Sequence, residues 1–253
     1  MTQYVFGSGN LWATQTSDAY GNLITTPTPQ KFGTLQDITI DISKDVKELY
    51  GQQAFAIDVS AGKAKITIKA KAAQIYANIF NSVFFGQTVD TGQIVDYADN
   101  IGEQIPATPY TIVVTPPGTG VWSKDLGVRN ASGDPLVKLA SGTPTTGQYV
   151  VTAGSYVFAI ADTLSTVFID YQYTISTSGK TISVVNPMMG QSPTFSMDVL
   201  MTSKGKSLIY TFPNCVSTKL AMATKLDDYM IPEFDVSAFA SPTGQVFTMS
   251  TTE

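Results

Sequence analysis

The sequence predicts a mainly β protein: two packed β-sheets, sandwich- or barrel-like, with one flanking α-helix and a small β-sandwich inserted in the middle. Three observations carry this expectation. Most segments alternate apolar and polar residues with a period of two. Those segments are rich in Thr, Ser, Val, Ile and aromatics, which favour a pleated, half-buried surface. Gly, Pro and Asn clusters punctuate the central third at short intervals, as turns between short strands do. At 253 residues, 43% of them apolar, the chain can bury either one large all-β core or two smaller ones.

Along the chain, Leu35–Ile42 places Gln36, Ile38, Ile40 and Ile42 on one side, the expected buried side, and Leu35, Asp37, Thr39 and Asp41 on the other. The segment Lys63–Lys71 is sharper: Ala64, Ile66, Ile68 and Ala70 face one way, while Lys63, Lys65, Lys69 and Lys71 form a ladder on the wet or partner-facing side. A helix is expected from Ala72 to Phe85, with Ile75, Ile79 and Val83 on one stripe, Tyr76, Phe80 and Phe84 beside it, and Gly86 as its stop. Gln87 to Pro109 reads as an acidic linker, since Asp90, Asp96, Asp99 and Glu103 occur there without a basic residue. Short strands follow, clearest in Thr166–Ile175, where Val167, Ile169, Tyr171, Tyr173 and Ile175 share a face. Longer strands resume beyond Gly179. The expected organisation is therefore residues 1–105 and 177–253 as two parts of one core, with 106–176 as an inserted β-sandwich module.

The composition excludes much chemistry. There is no histidine, which removes Ser-His-Asp and Cys-His mechanisms and the imidazole ligand of most catalytic zinc and non-haem iron sites. A lone cysteine, Cys215, leaves no disulfide or Cys-rich metal site within one chain. The formal charge of −5, and Arg129 as the sole arginine among 15 basic residues, argue against base readout of nucleic acid. No apolar run approaches the roughly 18 residues needed to span a bilayer, so no membrane anchor is expected. Asn130-Ala131-Ser132 matches a glycosylation sequon but reads as a turn before Gly133-Asp134-Pro135.

Glycine motifs fail on inspection. Gly179-Lys180-Thr181 and Gly205-Lys206-Ser207 resemble the end of a phosphate loop, but Thr174 and Leu200 stand where its first glycine is required. Gly7-Ser8-Gly9 has Trp12 in place of the third glycine of a dinucleotide fingerprint. Paired carboxylates, Asp227-Asp228 with Glu233 and Asp235, or Asp96 with Asp99, are the one acid–base device left without histidine, and they read better as charged loop rims. No catalytic residue, metal or cofactor is expected. What remains suits contact: Lys63, Lys65, Lys69 and Lys71 form a positive block, and Asp227, Asp228, Glu233 and Asp235 a negative one, which across copies of the chain would be complementary patches.

The pattern Phe32-Gly33-Thr34-Leu35-Gln36-Asp37-Ile38-Thr39-Ile40-Asp41, then Lys47-Glu48-Leu49-Tyr50-Gly51-Gln52, then Gly62 to Lys71 leading into Ile75-Tyr76 and Phe84-Phe85-Gly86, resembles tailed-bacteriophage tail tube (major tail) proteins. The run Lys225-Leu226-Asp227-Asp228-Tyr229, then Pro232 to Ala240 and Gly244-Gln245-Val246-Phe247, resembles the end of such proteins. Gly154 to Asp162 and Val167 to Tyr173 are similar to β modules of phage structural proteins. Together these likenesses touch about half the chain.

The resemblance implies a virion protein of the phage tail, present in the host cytoplasm during assembly. Its copies would form hexameric rings stacked into a tube, through which tape-measure protein and then DNA pass on ejection. Tail terminator and tail tip proteins would be its other partners. The helix would cover a sheet, and the inner sheets of six copies would join as a barrel. Ser43 to Ala61 would be a long hairpin or loop reaching an adjacent ring, with Met1 to Lys31 and Ser241 to Glu253 as arms ordered on assembly. An acidic chain suits a DNA conduit, because a lysine-lined bore would hold the polyanion by counterion release. The lysine ladder is therefore expected to face a neighbour or the outside. The 106–176 module is either an outward decoration or part of a longer wall. Competing readings are a head-decoration or tail-terminator protein, and a carbohydrate- or surface-binding module with Trp122, Tyr149, Tyr156 and Tyr171 as stacking residues. More distant is a hydrolase using Asp227 or Asp228.

Overall fold

The structure is a computed structural model that describes residues 7, 9–74, 76–224 and 226–252. Ile75 of the expected helical stripe, Lys225 of the C-terminal motif and Ser8 of the first glycine motif lie outside the described residues, as do residues 1–6 and 253. The chain is mainly β, with packed antiparallel sheets and one short helix, as the alternation predicts. Its strands are β1 (Asn10–Gln15), β2 (Pro29–Lys31), β3 (Leu35–Tyr50), β4 (Ala56–Ala72), β5 (Val89–Tyr97), β6 (Glu103–Gln104), β7 (Thr111–Val113) and β8 (Val121–Asn130). They continue as β9 (Val137–Leu139), β10 (Gln148–Thr152), β11 (Ser155–Phe158), β12 (Thr166–Ile182), β13 (Phe195–Ser203), β14 (Lys206–Ala221), β15 (Glu233–Ala238) and β16 (Thr248–Thr251). Residues 90–181 form one compact unit, and the segments on either side form another. The inserted unit thus begins at Asp90 rather than 106, because the acidic stretch read as a linker carries β5 and β6. Its charges disguise an alternation in which Gln93, Val95 and Tyr97 are half-buried.

In the flanking unit, eight strands make one sheet in the order β2-β1-β13-β14-β15-β4-β3, with β16 also on β14. A single sheet becomes two packed layers by bending. The 16-residue β14 pairs with β13 and β16 along its first half and with β15 from Cys215 onward. At that switch a register shift sets Phe195 and Met197 against Cys215 and Phe212. Pro213, which lacks the N–H a regular ladder needs, occupies the irregularity. The bend brings Phe32, just after β2, onto Phe234 of β15, four strands away in the sheet, with ring centroids 5.0 Å apart. Leu11, Ile68, Val199, Phe212 and Val236 fill the same core.

Three expectations for this unit are corrected. The helix Ala72–Phe85 is shorter, because β4 runs on through buried Ala72; only Ala77–Phe80 is α-helical, followed by a π turn over Asn81–Phe85. Gly86 closes it in the left-handed conformation, and a Cβ there would stand 2.6 Å from the Ala19 nitrogen, so glycine is required. Ile79 and Val83 do face the core. In β3, Ile38 and Ile40 face the core as expected, but Leu35 is buried and Gln36 exposed, because a bulge at Gln36 sets Leu35 opposite Ala72 and Asp37 opposite Lys71, and Ile42, expected buried, is exposed where the sheet gives way to a two-stranded hairpin. Finally, the segments expected as terminal arms contribute strands to the sheet over their described residues: β1 pairs with β13 and β2, and β16 pairs with β14.

The other unit is a β-sandwich. One sheet runs β7-β11-β10-β9, and the second centres on β12, flanked by β5, β6 and β8. Val167, Ile169, Tyr171 and Tyr173 of β12 are buried, as their alternation predicts, against Ile105, Val128, Tyr149, Tyr156 and Phe158. Strand β8 escapes a reading by periodicity, because register shifts at Leu126 and Ser123 break its pattern.

Candidate assembly surface

Residues directly opposite on antiparallel strands share a face, so the ladders dictate which charges meet. Asp37, Lys71 and Glu233 form one row across β3, β4 and β15; Thr39, Lys69, Asp235 and Lys219 form the next, extending to β14. Ile68, Ala70, Phe234 and Val236 alternate with them into the core. Lys71 Nζ lies 2.8 Å from Glu233 Oε1. The hydrogen bond and charge of Glu233, with the charge of Asp37, hold the Lys71 ammonium above the ordinary lysine range. These side chains line a shallow groove of about 200 Å³.

Half of the expected inter-subunit set therefore meets within one chain. Lys69 and Lys71 neighbour Asp235 and Glu233 on adjacent strands, about 165 residues apart in sequence. The physical reason is sheet order: β15 inserts beside β4, a placement no local pattern encodes. Lys63, Lys65, Asp227 and Asp228 have a different setting. Lys63 and Lys65 sit on the exposed upper part of β4. Asp227 and Asp228 belong to the exposed loop between β14 and β15, where Asp228 Oδ1 accepts a hydrogen bond from the Tyr229 N–H.

Ser43 to Ala61 is a hairpin. Strands β3 and β4 stay paired out to Tyr50 opposite Ala56, but β4 pairs with β15 only over Ile66–Lys71. Beyond Ile66, then, the two strands form a ribbon with no third strand among the described residues. Every residue from 41 to 65 is exposed except Ala56. One face carries Val46, Glu48 and Tyr50 opposite Ala61, Val59 and Ala56; the other carries Lys47 and Leu49 opposite Ser60 and Asp58. The Tyr50 hydroxyl donates to Glu48, which raises the phenol above its ordinary range. Phe55 at the turn is 85% exposed. A two-stranded ribbon is marginal in water, and this one exposes apolar side chains on both faces, so it needs cover.

The β-sandwich unit holds two polar clusters, both fully engaged in structure. Asp99, 6% exposed, accepts backbone N–H groups from Ile101, Gly102 and Ile169 at 2.9–3.2 Å. Burial pushes its carboxyl up, but those three donors and Arg129 outweigh burial and hold it below the usual range. Arg129, the sole arginine, bonds Asp170 through Nε and Nη2 and the Asp99 carbonyl through Nη2, lying over the Phe168 ring. Asp125, its side chain 3% exposed, accepts from the Tyr149 and Tyr156 hydroxyls and pairs with Lys138 at 3.0 Å. Sequence patterning did not single out Arg129 or Asp125, because each is completed by strands distant in the chain.

The stacking residues of the carbohydrate-binding reading are corrected: Tyr149, Tyr156 and Tyr171 are 2%, 0% and 3% exposed and belong to the core, with Trp122 half-buried against them. Asp99 is likewise corrected: read as part of a charged loop rim, it is buried and held by backbone donors, while Asp96 accepts a hydrogen bond from Gln172 Nε2. No group of His, Cys, Asp or Glu among the described residues is arranged to hold a metal ion. No helix among them is long and apolar enough to cross a membrane. Compared with known proteins, the chain matches no family model, and no curated protein matches it.

Proposed function

We propose that this chain is a structural protein whose copies assemble into stacked rings of the phage tail-tube kind, six to a ring, forming a conduit for DNA. The observation that carries the reading is the β3–β4 ribbon. Val46, Leu49, Tyr50, Phe55, Ile57 and Val59 are all exposed on a two-stranded element that has no core of its own. Such a surface gains from burial against another molecule. The resemblance in Phe32 to Asp41, Lys47 to Gln52 and Gly62 to Lys71 falls on this same hairpin and its base, which makes a second copy the natural cover.

The engaged carboxylates support a role in contact rather than catalysis. Net charge −5 suits a passage for a polyanion, since it lacks a surplus of cations that would retain the nucleic acid. The virion is the corresponding location, with tape-measure, terminator and tip proteins as partners. Sedimentation velocity tests the reading. The natural chain is expected to sediment as large polymers, whereas a variant with Val46, Leu49, Tyr50 and Val59 replaced by Ser stays small while keeping its circular dichroism. Polymers of equal size from that variant would contradict the role given to the ribbon.

A further inference from the structure

The β-sandwich unit leaves an edge of its four-stranded sheet open. Strand β7 pairs with β11 on one side and with no strand on the other among the described residues. The ladder fixes which backbone groups are left over. The Val114 N–H donates to the Gly154 carbonyl, and the Phe158 N–H donates to the Tyr110 carbonyl. Tyr110, Ile112 and Val114 therefore turn their backbone groups toward β11, and Thr111 and Val113 turn theirs outward. Pro109 and Pro116 bracket this edge, which limits a strand added there to about five residues.

Beside this edge lies a slot of about 160 Å³, with Tyr97, Asp99, Glu103, Val113, Thr115 and Tyr171 in its lining and no lysine or arginine. That volume is well under the roughly 300–1,000 Å³ of a small-molecule pocket and suits a single side chain. Glu103 is exposed and makes no ion pair among the described residues. Tyr171, 3% exposed, stacks on Tyr97 with ring centroids 4.8 Å apart. Its hydroxyl has no hydrogen-bond partner among the described residues, although a buried phenol ordinarily finds one. Burial raises this phenol most, then Tyr97 and Tyr173, then the charges of Glu103 and Asp99, so both carboxylates act on the hydroxyl.

We infer that this edge receives an extended segment of a partner protein, which adds to β7 through the Thr111 and Val113 backbone groups and places one Lys or Arg side chain in the slot. The inference does not depend on the tail-tube reading. Side chains of an added strand alternate between the two faces of the sheet, so every second one points between the two sheets, where the slot lies. A cationic side chain fits that position in three ways. Its charge meets Glu103 and the field of Asp99, whose own oxygens are taken by backbone donors. Its methylene stem lies along the tyrosine rings. Its N–H groups, which only donate, match the unpaired Tyr171 oxygen. An acidic side chain would be repelled there, and a sugar would need an exposed ring face that Tyr171 lacks.

Fluorescence anisotropy of labelled pentapeptides with the full chain tests the site. The probes are Thr-Val-Lys-Val-Thr with blocked termini and the same peptide with Glu or norleucine in place of Lys. The Lys peptide is expected to bind about tenfold more tightly than either of the others. Glu103→Gln is expected to remove that preference while leaving circular dichroism unchanged. Val113→Pro deletes an outward N–H that β11 does not use, so it should keep the sandwich folded and weaken the Lys peptide about tenfold. No binding of the Lys peptide at about 1 mM, equal binding of all three peptides, or full binding by a folded Val113→Pro chain would overturn the inference. Oligosaccharide binding lost in Glu103→Gln, with the Lys peptide inert, would overturn it in favour of a glycan site.

Discussion

Lys71 Nζ stands 2.8 Å from Glu233 Oε1 across neighbouring strands of one copy. The pair converts two of the charges expected between subunits into a contact inside one. Because Lys71 is raised above the ordinary lysine value, its contribution is complete below about pH 10.4 and is lost as pH rises through the raised value. Replacing Glu233 by Gln should lower Tm slightly at neutral pH, as exposed pairs do, and leave polymer size unchanged. The Tm difference should vanish above the titration of Lys71. A block in polymerisation would return this pair to the interface.

Phe234 lies between Phe32, stacked at 5.0 Å, and Phe84, edge-on at 5.8 Å. Phe234→Ala should therefore cost the flanking unit about 3–5 kcal/mol. Each unit has one tryptophan, Trp12 in the flanking unit and Trp122 in the sandwich, so fluorescence can follow them separately. In a Trp122→Phe background, urea unfolding read by Trp12 should shift to lower denaturant. An unchanged midpoint would contradict the single bent-sheet core.

Asp99 ties the loop before β6 to β12 through three backbone donors. Its lowered pKa makes its contribution present above the unfolded value near pH 3.9 and lost as pH falls through the folded one. Asp99→Ala strands those donors and should destabilise the sandwich unit by roughly 2–4 kcal/mol. Asp99→Asn should lose the acid-dependent part of that unit's stability in a pH series of Tm values.

Tyr149 and Tyr156 are pushed far above the ordinary phenol range, chiefly by burial and further by the Asp125 carboxylate that both hydroxyls bond. Raised phenols favour the native state below the unfolded value, about pH 10, and that advantage falls away as pH climbs towards the folded values. Absorbance at 295 nm should show these two tyrosines ionising last, together with loss of the sandwich fold. The Y149F/Y156F variant should lack that final step.

How much of this was legible in the sequence depends on whether a feature is local. The β12 face of Val167, Ile169, Tyr171 and Tyr173 could be read directly, because alternation survives wherever one face is buried. The same alternation placed Ile38 and Ile40 correctly but misplaced Leu35, since a one-residue bulge at Gln36 puts Leu35 out of phase with the residues beyond it. The helix was overcalled because Ala72 and its neighbours suit a buried strand as well as a helical stripe. The charge blocks were visible as blocks, but pairing Lys69 and Lys71 with Asp235 and Glu233 required knowing that β15 lies beside β4. Burial of Tyr149 and Tyr156 likewise depends on Asp125, which reaches them from another strand.

The central claim is self-assembly through surfaces that one copy leaves open. Negative-stain electron microscopy of the purified full-length chain tests it most directly. Stacked rings around a central bore are the expected result, and a uniform field of single, monodisperse subunits at high protein concentration would contradict it.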